Sequence, residues 1–197
     1  MSDGVSDRTA LLIIDMQVGL FTQETPRHDA EGVVSRINAV ARALRQSGGT
    51  VIFIQQDGPK GDTFEPGTPG SELLSSLERE PGDPVVHKSA CDSFYGTELA
   101  AVLGRRGVRR LLVTGCATDF CVDTTVRAAM SREYEVLVVA DGHTTADRPH
   151  VDAISLIRHH NWLWRDLIHP KVRVEVMDAD TVIAGIAQRP VSRPTTR

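Results

Sequence analysis

The chain has 197 residues, of which 41% are hydrophobic and 24% are charged, and its formal net charge is −4. These values are typical of a globular chain with a full α/β core, and the lack of a basic excess argues against a nucleic-acid binder. Three cysteines do not form a disulfide framework, so we expect reduced thiols and a cytoplasmic location. The polar, acidic start and the short apolar runs predict neither a signal peptide nor a membrane span.

Short apolar runs alternate along the chain with longer amphipathic stretches. The continuous runs predict six buried strands at residues 10–14, 50–54, 85–86, 111–113, 136–139 and 172–176. Apolar positions at helical spacing predict helices over about 33–44, 99–103, 119–130, 149–165 and 181–187. Fully apolar strands separated by helices predict a Rossmann-like, three-layer α/β sandwich around a six-stranded parallel sheet.

Two segments interrupt this alternation. Residues 57–70 are rich in glycine and proline and predict a long functional loop. Residues 188–197 are polar with two prolines and predict a flexible tail. Because no repeat and no internal linker divides the chain, we expect residues 1–197 to form one domain.

Three residues whose side chains could take part in catalysis follow three different predicted strands. Ligands of open parallel sheets bind beyond the C-terminal strand ends, where we expect Asp15, Lys88 and Cys121 to meet. Cys121 lies near a predicted helix start, where the helix dipole lowers a thiol pKa and free N–H groups can hold an oxyanion. Asp15 is suited to proton transfer, and Lys88 to stabilising the charges. Taken singly, each also fits a structural role: a buried thiol, a capping carboxylate and a solvated lysine.

Several motifs occur in a fixed order between residues 10 and 176: LIIDMQ at 12–17, FEPGT at 64–68 with Gly70, VHK at 86–88, FYGT at 94–97 and VTGCATDFCV at 113–122. In this order the chain resembles the isochorismatase-like cysteine hydrolases, which include nicotinamidases and N-carbamoylsarcosine amidohydrolases. The resemblance implies that Asp15 is the acid/base, Lys88 its charge-stabilising partner and Cys121 the nucleophile. It also implies a cis peptide bond between Cys116 and Ala117, and an oxyanion hole formed by the N–H groups of Ala117 and Cys121.

Two departures within this family narrow the expected chemistry. Nicotinamidases carry an Asp-x-His metal motif after the second strand, but here Asp57 is followed by no histidine until His87. We therefore expect no metal site with imidazole ligands, and no cofactor. True isochorismatases do without the nucleophilic cysteine, so Cys121 favours hydrolysis of an amide, imide or carbamoyl C–N bond through a thioester. The alternatives are an isochorismatase-type hydrolase of another bond and a non-catalytic member of the same fold.

Candidate pocket walls and partners complete the sequence-based expectations. The pocket is expected to include Gln17, Phe21, Phe64, Phe120 and His143, although the phenylalanines also fit the core and 143–145 also fits a helix N-cap region. The expected partner is a small amide-type substrate, with no nucleic acid and no membrane. The resemblance implies a homodimer or homotetramer, for which the candidate contacts are Trp162 and Trp164.

Overall fold

A computed structural model describes residues 8–188. Its six strands are β1 (Thr9–Ile14), β2 (Thr50–Gln56), β3 (Val85–Lys88), β4 (Arg110–Cys116), β5 (Glu135–Thr144) and β6 (Val174–Met177). They form one parallel sheet in the order β3-β2-β1-β4-β5-β6. The helices are α1 (Ala30–Gln46), α2 (Leu99–Arg105), α3 (Asp123–Ser131), α4 (Ala153–Arg165) and α5 (Ala179–Ala187). The predicted parallel α/β sandwich is therefore confirmed.

Helices cover both faces of the sheet because its central strands are apolar on both sides. Along β1, Leu11 and Ile13 pack into a core with α1 and α5. Leu12 and Ile14 pack into the opposite core with α2, α3 and α4. This double burial explains why β1 is a continuous apolar run rather than an alternating one.

The order of the strands fixes where a crevice forms. β1 is central, with β2 and β3 on one side and β4 to β6 on the other. The chain reverses its direction of winding between β1 and β4, and open α/β sheets bind ligands beyond such a switch point. In register, Ile14 lies beside Ile54 and Gly115, so β1, β2 and β4 reach this edge together.

Gly115 allows β1 and β4 to approach closely at that edge. Its φ of +124° lies in a region that side chains rarely adopt. A Cβ at this position would lie 2.1 Å from the carbonyl oxygen of Ile14. The strand pairing beneath the crevice therefore requires glycine at residue 115.

Some boundaries and one predicted contact differ from the sequence-based expectations. The last strand begins at Val174 rather than near 172, and β5 continues to Thr144. Trp164 is fully buried, and its indole Nε1 donates to Asp123 Oδ1 at 2.8 Å, so its predicted role as a subunit contact is wrong. Trp162 is 58% exposed. Of the predicted tail 188–197, all but Gln188 lies outside the described residues.

No helix in the described range 8–188 combines the length and the apolar character that a bilayer crossing requires.

Candidate active site

Three side chains from different elements meet at the carboxyl edge of the sheet. Asp15 directly follows β1, Lys88 is the last residue of β3, and Cys121 lies between β4 and α3. The Nζ of Lys88 lies 2.8 Å from Asp15 Oδ2 and 3.4 Å from Cys121 Sγ. Asp15 and Lys88 are buried, whereas Cys121 is half-buried. A carboxylate, an ammonium and a thiol thus share one site.

Two further acceptors fix the ammonium of Lys88. Its Nζ donates to Gln56 Oε1 at 2.8 Å and to the carbonyl oxygen of Ala90 at 3.0 Å. Gln56 is the register partner of Lys88 in the β2–β3 pair, so the sheet itself brings this amide to the site. With the carboxylate of Asp15, these contacts satisfy a buried ammonium that would otherwise be costly.

Asp15 keeps one carboxylate oxygen available. Its backbone adopts the left-handed conformation, with φ +49°, and its N–H donates to the carbonyl oxygen of Ile54 at 2.9 Å. Oδ2 pairs with Lys88, but buried Oδ1 has no hydrogen-bond partner within the described part of the chain. A buried acceptor without a partner is uncommon in proteins and suits a group that exchanges a proton.

Burial is the largest single influence on the pKa of each of the three groups, but it does not decide the direction of the shift in all of them. It raises the pKa of Asp15, although the charge of Lys88 opposes the rise. Burial lowers the pKa of Lys88, but the neighbouring Asp15 and Cys121 raise it by more, so its net pKa is raised. Burial and the carboxylate of Asp15 raise the pKa of Cys121, and Lys88 only partly offsets them. The lowered Cys121 pKa expected from the sequence is therefore wrong.

The turn that carries Cys121 is not a regular helix start. Residues Thr118–Val122 form a π-helical turn, in which the Val122 N–H donates to the carbonyl oxygen of Ala117, and α3 begins only at Asp123. The helix predicted to begin near residue 119 is corrected in this respect. The peptide bond between Cys116 and Ala117 is cis, as the resemblance implied.

His143 supports this turn from below instead of lining the pocket. It lies within β5 and is 1% exposed. Nδ1 lies 2.9 Å from Thr118 Oγ1, and Nε2 lies 3.0 Å from Asn161 Oδ1. Because Asn161 Nδ2 donates to Ala140, its Oδ1 must accept, so the ring donates through Nε2 and accepts from Thr118. Burial lowers the pKa of His143 to about 4, which keeps the ring neutral.

A cavity of about 440 Å³ opens above Asp15 and Cys121. Phe64 and Phe120 line it, as do Ala117, Arg27 and Arg148. This volume suits a small organic molecule.

Gln17 and Phe21 lie elsewhere, so their predicted place in the pocket wall, like that of His143, is corrected. Gln17 is fully buried, and its side chain holds β2 by donating to Gln56 O and accepting from Gln56 N–H. Phe21 packs against the core beneath α1.

An ion pair at the cavity wall fixes the start of the cysteine turn. Arg148 donates to Asp119 through Nε at 2.9 Å and Nη2 at 3.0 Å, and Thr145 Oγ1 donates to the same carboxylate at 2.6 Å. The Arg148 guanidinium also lies 5.1 Å from the ring centre of Phe120. Sequence reasoning missed these contacts because Asp119 and Arg148 are joined only through the fold.

After β2, where the Asp-x-His motif of nicotinamidases is absent, Asp57 instead pairs with a histidine of β3. His87 Nδ1 lies 2.9 Å from Asp57 Oδ1, across the paired ends of β2 and β3. Between residues 8 and 188, no group of three histidine, cysteine or acidic side chains is arranged to hold a metal.

Comparison with known proteins identifies the family. A model of the isochorismatase domain matches residues 9–162. Streptothricin hydrolase of Streptomyces noursei is 34% identical over 74% of this chain, which spans about half (53%) of that relative's length. Ureidoacrylate amidohydrolase RutB of Methylorubrum extorquens is 31% identical, with 73% of each chain covered.

Solved structures share the fold. An isochorismatase family protein from Burkholderia thailandensis has a TM-score of 0.74 and 28% identity, covering 92% of this chain and 97% of that one. A cysteine hydrolase from Pseudomonas syringae pv. phaseolicola has a TM-score of 0.85 at 24% identity, covering 94% and 95%, which shows the fold alone. The chain therefore belongs to the isochorismatase family, and the resemblance seen in its motifs is confirmed.

Proposed function

We propose that this chain is a cysteine-dependent hydrolase that cleaves the C–N bond of a small amide, imide or carbamoyl compound through a thioester. The observation that carries this proposal is the position of the Lys88 ammonium between the Asp15 carboxylate and the Cys121 thiol, next to a cavity. The names of two relatives, a hydrolase and an amidohydrolase, support hydrolysis of amides.

The first half of the proposed reaction acylates the cysteine. Asp15 accepts the proton of Cys121, and the thiolate attacks the substrate carbonyl carbon. The N–H groups of Ala117 and Cys121 hold the oxyanion of the tetrahedral intermediate. The C–N bond then breaks, and the amine or ammonia leaves with the proton from Asp15.

The second half hydrolyses the thioester. Asp15 accepts a proton from water, whose oxygen attacks the thioester carbonyl carbon. The C–S bond breaks, the carboxylic acid product leaves, and the proton on Asp15 returns to the sulfur of Cys121. One carboxylate thus serves both halves, while the permanent charge of Lys88 stabilises each anionic state.

The raised pKa values of Asp15 and Cys121 fit this proton shuttle. A thiol whose pKa is raised rests in its protonated form, so the nucleophile forms only as the proton moves to Asp15. A carboxyl group whose pKa is raised returns that proton more readily to a leaving amine.

Trapping of the acyl-enzyme tests the proposal. Amides, cyclic imides and carbamoyl compounds are screened for release of ammonia or amine, and the quenched enzyme is examined by peptide mass mapping. We expect an acyl adduct on Cys121 and none on Cys91 or Cys116. Full activity of a Cys121→Ser variant would instead favour an ether hydrolase of the isochorismatase type. An absence of hydrolysis together with an inert Cys121 would favour the non-catalytic alternative.

We also propose a cytoplasmic location and a homodimer or homotetramer. The three unpaired cysteines support a reducing compartment, and exposed Trp162 supports a contact between copies. A sedimentation profile showing only the 21.5 kDa chain would overturn the assembly proposal.

A further inference from the structure

Two arginines line the cavity, and their surroundings differ. Arg148 forms a two-pronged ion pair with Asp119. Arg27 forms no ion pair with any carboxylate of residues 8–188. Arg27 is also half-buried, so its charge is not simply dispersed into bulk water.

The guanidinium of Arg27 is anchored at one end only. Its Nε donates to the carbonyl oxygen of Leu20 at 2.6 Å. Its two terminal nitrogens, Nη1 and Nη2, make no hydrogen bond to the described residues. An arginine held through Nε presents the remaining donors in a fixed fork, which matches the two oxygens of a carboxylate.

Arg27 lines the same cavity as the candidate nucleophile Cys121. Leu20 and Arg27 line the same cavity as Cys116, Ala117 and Cys121. The charge of Arg27 also reaches Cys116, where it opposes the burial that raises the pKa of that thiol to about 12. A molecule bound over Cys121 is therefore within reach of Arg27 in a cavity of about 440 Å³.

Among the described residues 8–188 that line the cavity, Arg27 is the cation that has no acidic partner. Asp15 is neutralised by Lys88, and Arg148 by Asp119. We propose that Arg27 binds a carboxylate of the substrate, so that the substrate is a small amide or carbamoyl compound carrying one carboxylate away from the scissile bond. This inference rests on the proposed hydrolase function and assigns its substrate class.

Matched pairs of probes separate charge from shape. The acids malonamate, succinamate and glutaramate each carry one primary amide and one carboxylate. The diamides malonamide, succinamide and glutaramide replace that carboxylate with a neutral amide of nearly the same size. Ammonia release from both series gives kcat/KM for the wild-type protein and for Arg27→Gln and Arg27→Lys. Arg42→Gln is the control, because Arg42 is an exposed arginine of α1 that pairs with Glu78 and does not line the cavity.

We expect the best acid to exceed its diamide about 10- to 100-fold in kcat/KM, as hydrogen bonds to a charged group allow. Arg27→Gln removes this preference, because kcat/KM falls far more for the acid than for its diamide. Arg27→Lys keeps part of the preference, because it retains the charge but loses the fork. Arg42→Gln matches the wild type. Equal rates for acid and diamide in the wild type, or equal losses for both in Arg27→Gln, overturn the proposal.

A binding measurement keeps this inference separate from the proposed function. Calorimetry on Cys121→Ala, with and without Arg27→Gln, compares the affinities for succinamate and succinamide without turnover. A preference for succinamate that depends on Arg27 supports the inference even if the chain hydrolyses no amide, an outcome that would overturn only the proposed function. Amide hydrolysis through Cys121 with no preference in turnover or binding overturns only the inference.

Discussion

At the scale of single residues, the buried pair of Asp15 and Lys88 affects both the chemistry of the site and the stability of the fold. Burying either charge alone costs several kcal/mol, whereas together they neutralise one another, and Gln56 Oε1 accepts a further hydrogen bond from Lys88. Removing either partner therefore changes both the chemistry and the stability. The two losses are separable because they are measured by different experiments.

Asp15→Asn is expected to lose turnover and remain folded. The amide has nearly the shape of the carboxylate, and Gln56 and Ala90 still accept from Lys88. Loss of an acid/base typically lowers rates about 10²- to 10⁴-fold, and the effect is larger here because one carboxylate serves both half-reactions. Turnover of an amide found in the screen, with circular dichroism as the check on folding, measures this. Wild-type turnover in the variant would remove Asp15 from the mechanism.

The dependence of Cys121 alkylation on pH separates the roles of its two neighbours. Lys88→Met removes a positive charge that lowers the Cys121 pKa, so the midpoint of alkylation rises. Asp15→Asn removes a negative charge that raises that pKa, so the midpoint falls. Iodoacetamide labelling in a Cys91→Ser background avoids competition from the exposed thiol. Shifts of the same sign in both variants would contradict the assigned electrostatics.

The pairing of β1 with β4 depends on one glycine, which gives a prediction at the scale of secondary-structure elements. Gly115→Ala places a Cβ against Ile14 and forces a side chain into a positive φ, so we expect about 3 kcal/mol of destabilisation. Gly185→Ala in α5 is the matched control, because its Cβ would meet no atom of residues 8–188 within 4 Å. Alanine there should stabilise the helix by about 0.5–1 kcal/mol. Urea unfolding midpoints measure both, and a neutral Gly115→Ala would contradict the model of the β1–β4 pairing.

The strands and helices were predictable where buried apolar residues recur at regular spacing within one segment of the chain. The apolar runs of β1, β2 and β4 and the helical spacing in α1 follow directly from the sequence, because each element buries a continuous face. The π-helical turn at Thr118–Val122 was not predictable, since a single inserted residue leaves no periodic signal. The late end of β5 follows from a shift in register against β4 between Val113 and Gly115, which arises only on pairing.

The candidate site was predictable to the extent that strand ends converge. The parallel-sheet rule was sufficient to expect Asp15, Lys88 and Cys121 at one edge. The rule does not tell which neighbours face the cavity and which face the protein, so Gln17 and His143 were misplaced. Their buried hydrogen bonds, like the free fork of Arg27, depend on side-chain positions that no spacing in the sequence encodes.

The stability of the whole molecule is expected to depend on the ionisation of His143. Its pKa of about 4 in the fold lies below the ordinary value of 6.5, so the unfolded chain binds the extra proton first. The contribution of the neutral ring is fully present above pH 6.5 and is lost as the pH falls toward 4, by about 3 kcal/mol.

His143→Gln should flatten this dependence between pH 6.5 and 4. The comparison with the wild type assigns the lost slope to residue 143, because every other titratable side chain is the same in both proteins. Urea unfolding at several pH values measures the slope, and His150→Gln, at an exposed position, serves as the control. Parallel slopes for wild type and His143→Gln would show that His143 is not buried as a neutral ring.

The position of Lys88 on β3 has a consequence for how the protein loses activity on heating. β3 has only four residues and lies at the edge of the sheet, where β2 is its one strand partner within residues 8–188. It is therefore held by fewer interactions than the central strands. Such edge segments open at lower free energy than the rest of a domain. Opening of β3 withdraws the ammonium from Asp15 while the other five strands stay paired.

Reversible loss of activity should therefore begin several degrees below the main calorimetric transition. Amide hydrogens of β3 should exchange faster than those of β1 over the same range. Coincident inactivation and unfolding would show instead that β3 opens only with the whole sheet. In the expected case, the upper temperature limit for catalysis is set by the four-residue edge strand that carries Lys88, and not by the core that makes up most of the molecule.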